Sequence, residues 1–314
     1  MRVVLLAGGT GGAKLGAGLA DRLDPNDLTI VVNTADDDEF WGLMVSPDVD
    51  AILYRLAGLF NEQSGFGVAD DSFNALSMLR RLGEPTWFAL GDEDIGLHLL
   101  RTHLAHSRGL RPTETTREIT RRLGLATLLV PMSDDAVRTR VLTDAGEIGL
   151  QEWFVARSAE PPVRGLRFEG MESARAAPEA VEAVTASDVV IIGPSNPLIS
   201  IDPILMLLGA TLKRERVIAV SPIVDGRSLK GPTAQMLRDL GEEPTALGVA
   251  RHYAGTAAWF IVDSVDAALQ PDIAALGMQT AVCDTVMADA NGQRRLAGDV
   301  MRLAERARSA HATA

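Results

Sequence analysis

Val3-Val4-Leu5-Leu6-Ala7-Gly8-Gly9-Thr10-Gly11-Gly12-Ala13-Lys14-Leu15 is the stretch on which the fold turns. Its first residues are β-branched or leucine, its middle is rich in glycine, and Leu15, Leu19 and Leu23 recur at helical spacing. The order is strand, loop, helix. Residues 28–33 repeat the strand signal and run into Thr34-Ala35-Asp36-Asp37-Asp38, completing a β-α-β unit of about 30 residues. A right-handed crossover of this kind makes the two strands parallel, so the chain predicts a Rossmann-like α/β fold: a parallel sheet with helices on both faces.

The rest of the chain fits that frame. Its 314 residues are 46% hydrophobic and only 4% aromatic, a balance suited to helices packed closely on a buried sheet. Residues 1–50 and 124–314 read as the nucleotide-binding core, with short buried-strand runs at 126–131, 189–192, 217–220 and 259–262. Residues 51–123 read as a mainly helical insertion, with Phe73, Leu76, Leu79 and Leu82 on one apolar face and Ile95, Leu99 and Leu100 on another. Alternation from 137 breaks at Asp144-Ala145-Gly146 and predicts a small antiparallel hairpin region over about 137–170. The polar stretch 156–177 reads as a surface excursion.

Composition also excludes classes. A net charge of -12 disfavours a nucleic-acid binder, which needs a basic face. No apolar run approaches about 20 residues, so no membrane span is expected, and the opening apolar stretch is too short for a signal peptide. The single cysteine, Cys283, has no pairing partner within the chain and reads as core. A cytoplasmic protein acting on small molecules is the expectation. His98, His103, His106, His252 and His311 lack metal-ligand spacing and read as solvated.

In an open parallel sheet ligands bind beyond the carboxyl ends of the strands, which directs attention to the loops there. Gly8, Gly9, Thr10, Gly11 and Gly12 can aim several N–H groups at a diphosphate, with Lys14 following in the helix. The loop matches neither standard fingerprint: Lys14 stands where a Rossmann loop has its third glycine, and the spacing before it is too short for a P-loop. Substituting valine at Gly11 is expected to weaken nucleotide binding more than stability, by blocking the diphosphate. Asn33, Asp36, Asp37 and Asp38, with Asp48 and Asp50 in Ser46-Pro47-Asp48-Val49-Asp50, form either a solvated acidic turn or hard oxygen ligands for Mg²⁺. Gly193, Ser195 and Asn196 lie in a loop held by Pro194 and Pro197, and Ser221 follows the next strand; they read equally as a rigid helix entry or as groups aimed at a phosphate or base.

Taken together these motifs resemble the 2-phospho-L-lactate transferases that make the deazaflavin coenzyme F-420. The matching stretches are those just named, joined by Leu90-Gly91-Asp92, Pro131-Met132-Ser133-Asp134-Asp135, Gln151-Glu152-Trp153-Phe154, Ser221-Pro222-Ile223 and Gly231-Pro232. The resemblance spans nearly the whole chain. It implies that a phospholactyl or phosphoenolpyruvyl group passes from a GDP-linked donor to the ribityl hydroxyl of the deazaflavin Fo, with release of GMP, Mg²⁺ as cofactor and a homodimer as the assembly. It places the Fo contact at Asp50, with Asn33, Ala89 and the helical insertion nearby, and makes Asp36 and Asp50 the catalytic and metal-binding pair. For Asp50 three roles compete: Fo contact, metal ligand or proton acceptor. Archaeal members carry lysine where this chain has Ala89, a departure shared with bacterial members, in which the acid varies among phospholactate, phosphoenolpyruvate and phosphoglycerate. A related group of glycine-rich regulatory proteins, the gluconeogenesis factors, shares the opening motif and implies nucleotide-sugar binding without turnover. An ordinary dinucleotide oxidoreductase is disfavoured by the missing third glycine.

Overall fold

The computed structural model of the chain describes residues 1–312, with side chains as far as residue 309. The opening stretch folds as read: β1 (Val3–Ala7), α1 (Gly9–Ala20), β2 (Leu28–Val32). A hairpin of β3 (Asp38–Phe40) and β4 (Leu43–Val45) comes next. Four helices then run without a strand between them: α2 (Pro47–Leu56), α3 (Asn74–Arg81), α4 (Asp92–Arg108) and α5 (Pro112–Arg122). The remaining strands are β5 (Leu128–Pro131), β6 (Arg138–Thr143), β7 (Gly146–Gly149), β8 (Gly165–Glu169), β9 (Val189–Ile192), β10 (Val217–Val220), β11 (Ile223–Val224), β12 (Arg227–Ser228), β13 (Trp259–Asp263) and β14 (Gln279–Cys283). Between and after them lie α6 (Pro178–Ala186), α7 (Asp202–Leu208), α8 (Thr233–Asp239), α9 (Ala246–Tyr253), α10 (Gln270–Ala275) and α11 (Ala290–Ala312).

Seven strands form one parallel sheet in the order β14-β13-β10-β9-β1-β2-β5. Side chains alternate across it. Val3, Leu5 and Ala7 of β1 face a core shared with Leu15 and Leu19 of α1, Ile52 and Leu53 of α2 and Leu296 and Val300 of α11. Val4 and Leu6 face the other core, with Ala180 of α6, Ile204 of α7, Leu237 of α8 and Tyr253 of α9. Helices therefore cover both faces, and β1 is buried on each side, which is why its five residues read as a continuous apolar run.

Four readings need correction. Residues 156–177 are not merely a surface excursion: β8 pairs antiparallel with β6 and makes the predicted hairpin a three-stranded sheet, the arginines and glutamates facing outward in pairs such as Arg167 with Glu147. The apolar residues of the insertion do not all face inward, since Phe73, Leu82 and Leu99 are exposed. On α4 the buried residues are instead Asp94, His98, Arg101 and Leu104. His98 is accordingly buried rather than solvated, and His252 is half-buried, 2.7 Å from Asp202. His103 and His106 are exposed, as read; His311 falls outside the described side chains. Finally, Cys283 packs against the core as read but is only half-buried, on the edge strand β14, where burial pushes its thiol up to about 12, so it is a poor nucleophile. Among the described residues no helix is long and apolar enough to cross a membrane.

Candidate functional site

A parallel sheet delivers all its carboxyl ends to one edge, and here the strand order reverses between β1 and β9. The loops after these two strands, residues 8–12 and 193–197, meet at that reversal, where open α/β sheets take their ligands. Their approach is close. A Cβ on Gly11 would lie 1.9 Å from the Pro194 carbonyl oxygen, and one on Gly12 would lie 2.6 Å from Ser195 Oγ. Gly8 donates its N–H to Ser195 Oγ at 3.2 Å, and Gly9, at φ +59°, donates to Asp48 Oδ1 at 2.5 Å. The glycines thus serve loop-to-loop packing as well as any ligand. Helix α1 starts without a cap from its own N-cap side chain and without an acidic residue in its first turn; the Asp48 carboxylate stands at its positive end instead, on the Gly9 N–H.

The carboxylates cluster beside this loop because Ser46-Pro47-Asp48-Val49-Asp50 opens α2. Pro47 pre-sets the first turn, and Asp48 and Asp50 stand in it, where the helix dipole favours negative charge. Buried Asp48 joins two loops: it accepts from Gly9 and from Asn33 Nδ2 at 2.9 Å. Burial pushes its carboxyl up to about 6 against those hydrogen bonds. Asp36 is raised well above the carboxylate range, by burial first and by Asp48 next. Thr139 donates to Asp36 Oδ1 at 3.4 Å, and Gln151 donates to its backbone carbonyl at 3.0 Å. Asp37 is pushed up to about 7 by burial; Ser46 donates to its Oδ2 at 2.9 Å while its Oδ1 is buried without a hydrogen-bond partner. A polar cavity of about 270 Å³ opens onto Asp36 and Asp37, with Arg138, Thr139 and Gln151 in its walls. A larger open groove of about 630 Å³, lined by Phe168, Met171 and Met206, lies away from these loops.

Among the described residues no three carboxylate, imidazole or thiol groups converge to hold a metal by themselves. Mg²⁺ needs only one or two carboxylates when phosphate oxygens complete its shell. An all-oxygen set of buried carboxylates raised by burial and by one another, one with an unpartnered oxygen, fits such an ion.

Asp50 has a different environment. Both its oxygens face the Arg101 guanidinium, Oδ2 at 3.1 Å from Nη1 and Oδ1 close to Nη2, and the Ser46 N–H is 3.4 Å away. Burial works against the Arg101 cation, yet its neighbours, Asp50 foremost and then Asp37, together leave the guanidinium raised. Arg101 Nη1 also lies 3.0 Å from His98 Nδ1, and His98 Nε2 is 3.4 Å from Asp94 Oδ1, which accepts from the Tyr54 hydroxyl. Burial, then Asp50 and Asp94, push Tyr54 up, so its hydroxyl keeps its proton.

Other candidates have protein partners. Lys14 turns from the glycine loop and donates to the Met287 carbonyl at 2.7 Å; burial and then Arg55 lower its pKa. Asn33 is fully buried, and its Oδ1 accepts the Ala35 N–H at 3.0 Å. Asn196 caps the turn after β9 by accepting from Leu198, and Ser221 Oγ pairs with both backbone groups of Ile223. Gly193 packs on the β1 loop, where an added Cβ would be 3.3 Å from Gly12 Cα. Thr10 is half-buried in the first turn of α1, and Ala89 is exposed just before α4. The Leu90-Gly91-Asp92 stretch has a structural reason: Asp92 accepts the N–H groups of Asn74 and Ala75 at the start of α3, while Asp71 accepts those of Glu93 and Asp94 at the start of α4.

Sequence reading missed Asp48 as the junction, took His98 for solvated, and missed Arg101, Asp94 and Tyr54 altogether. The spacing 94, 98, 101 places three polar residues on one helical face and was the available signal.

A family model described as "2-phospho-L-lactate transferase CofD" matches residues 3–301. The 2-phospho-L-lactate transferase of Methanopyrus kandleri is 39% identical, over 97% of this chain and 98% of its own. The phosphoenolpyruvate transferase of Streptomyces griseus is 36% identical, over 98% of this chain and 100% of its own. In shape the chain is similar to a crystal structure of a Bacillus halodurans protein, with a TM-score of 0.62 at 18% identity over 96% and 99% of the two chains, a likeness that bears on the fold alone. Near-full coverage at this identity, on a fold whose glycine loop and acidic loops meet at one sheet edge, leads to one conclusion: the chain is an enzyme of the 2-phospho-L-lactate transferase family, CofD.

Proposed function

We propose that the protein transfers a phospholactyl or phosphoenolpyruvyl group from a GDP-linked donor to the ribityl hydroxyl of Fo, releasing GMP. The observation that carries this reading is the meeting of the β1 and β9 loops beside Asp36, Asp48 and Asp50. The donor diphosphate lies along the amides at the start of α1, and the acceptor approaches from the side of Asp50 and the helical insertion. The acceptor oxygen bonds to the phosphorus that carries the acid; the bond from that phosphorus to the bridging oxygen breaks, and its electrons leave with GMP. A carboxylate of the acidic loops takes up the hydroxyl proton. Asp36 would hold Mg²⁺ together with Asp50, whose oxygens keep lone pairs beyond those that Arg101 engages, and the ion when bound would neutralise the diphosphate's charge. The chain's own contribution is chiefly positioning in a water-poor crevice.

Phosphorus NMR of a single turnover tests this assignment of bonds. Attack at the acid-bearing phosphorus yields GMP and a phosphodiester; release of GDP would place the cleavage elsewhere and refute it.

A further inference from the structure

The buried side chains Asp50 and Tyr54 of α2 and Asp94, His98 and Arg101 of α4 form a polar ladder between the acidic loops and the helical insertion, hydrogen-bonded at every rung except His98 to Asp94. Each is almost wholly shielded: 4%, 3%, 7%, 1% and 4% exposed respectively. Burying two carboxylates and a guanidinium is expensive, and their mutual attraction seldom makes such a set more stabilising than apolar packing. Fold stability is therefore a poor reason for the ladder. Its geometry suggests another.

Residues 50 and 54 share one face of α2, and 94, 98 and 101 share one face of α4, so the rungs are fixed by two rigid helices. The guanidinium can only donate hydrogen bonds, so His98 Nδ1 accepts from Arg101 and the ring proton stands on Nε2, which is 3.4 Å from Asp94 Oδ1 but has no hydrogen-bond partner among the described residues. Arg101 Nη1 also reaches the Met44 carbonyl at 3.4 Å, and Thr102 accepts the Met44 N–H at 2.9 Å, tying β4 to the same helix. With its fork aimed at both Asp50 oxygens, Arg101 leaves that carboxylate one orientation.

We propose that Arg101 is a positioning residue for the transfer reaction: held by His98 and Met44, it fixes the direction and offsets the charge of Asp50, so that the helical insertion sets the reactive geometry. The inference rests on the functional reading above. It assigns Arg101 no contact with substrate; its effect passes through Asp50.

The experiment is a double-mutant cycle on the full chain with Arg101→Gln, Asp50→Asn and both, plus Arg101→Lys, followed by steady-state kinetics and by denaturant unfolding. Arg101→Gln is expected to lower kcat about a hundredfold, the scale of a reacting group displaced by about 1 Å, with the donor KM unchanged. Arg101→Lys, which keeps the charge but loses the fork, is expected to restore part of that rate. In the Asp50→Asn background Arg101→Gln should slow turnover little further. Equal fold-losses of kcat in both backgrounds, or a donor KM that rises along with the loss, would assign Arg101 a merely structural role and overturn the proposal. The unfolding cycle is independent of turnover: the double variant, with a neutral pair, should be more stable than the sum of the single losses predicts, and additive losses would refute the pairing. A wild-type enzyme without transfer activity would defeat the functional reading, while the unfolding cycle would still decide whether Arg101 holds Asp50.

Discussion

A single methyl group at residue 11 should unsettle the crevice. An alanine Cβ there would sit 1.9 Å from the Pro194 carbonyl oxygen and 3.0 Å from its carbon, backbone atoms of a loop that turns directly out of the central strand β9. Ordinary contact returns only if the two loops part by about 1 Å or more, which in a close-packed interior costs about 1–3 kcal/mol. With an unfolding entropy of about 2.1 cal/mol/K per residue, a chain of 314 residues should melt about 2–5 °C lower. Gly96→Ala provides a control of opposite sign: nothing lies within 4 Å of its added Cβ on α4, so the change should stabilise by about 0.5–1 kcal/mol. Differential scanning calorimetry reads both, and titration with GDP reads the ligand side, where Gly11→Ala should also lose affinity because the amides it carries move. The expectation that a bulky residue at 11 would disturb binding far more than stability is thereby revised: Pro194, not only a diphosphate, occupies the space. A Gly11→Ala protein that melts like wild type would refute the packing argument.

Three further outcomes follow from the site. Asp36→Asn and Asp50→Asn should each slow turnover by about 2–4 kcal/mol of barrier and raise the Mg²⁺ concentration for half-maximal rate, and the double variant should lose less than the sum; weakened Fo binding in Asp50→Asn with an unchanged Mg²⁺ requirement would remove Asp50 from the metal. Asp37, pushed by burial up to about 7, binds its proton more tightly in the folded chain, so the metal-free protein should lose stability as pH rises from about 4 to about 7. In thermal melts with chelator, Asp37→Asn should show a flatter decline than wild type over that window, and an identical slope would refute the assignment. Fo should bind with micromolar affinity, about -8 kcal/mol, despite Ala89 in place of lysine; fluorescence titration without saturation, with or without GDP, would contradict it.

What the sequence disclosed and what it hid follow from the range of the forces involved. Residues 3–15 declare a strand, a loop and a helix because each signal is local: an apolar run buried on both faces, glycines where two loops touch, leucines every fourth position. The β3–β4 hairpin was equally local but passed unread. Its turn, Trp41-Gly42, has both residues at positive φ, and an X-Gly pair between short strands is a recognised hairpin signal. Arg101 and His98 were hidden for a deeper reason. Apolar periodicity marks Leu99 and Leu100 as the inner face of α4, whereas the polar face turns inward because Asp50 and Tyr54, some fifty residues earlier, wait there with complementary groups. No window along the chain contains both halves of that match. Lys14 illustrates the converse: its place after the glycines invites a phosphate role, yet it reaches the Met287 carbonyl on a loop 273 residues away.

The most direct test of the account is to incubate the purified protein with Fo, Mg²⁺ and, in turn, the guanosine-diphosphate esters of lactate, enolpyruvate and glycerate, and to identify the products by mass. The account predicts a phosphodiester of Fo carrying one of these acids, formed together with an equal amount of GMP and only when Mg²⁺ is present. Tight binding of a nucleotide sugar with no Fo product from any donor would contradict it and return the chain to a nucleotide-binding regulator.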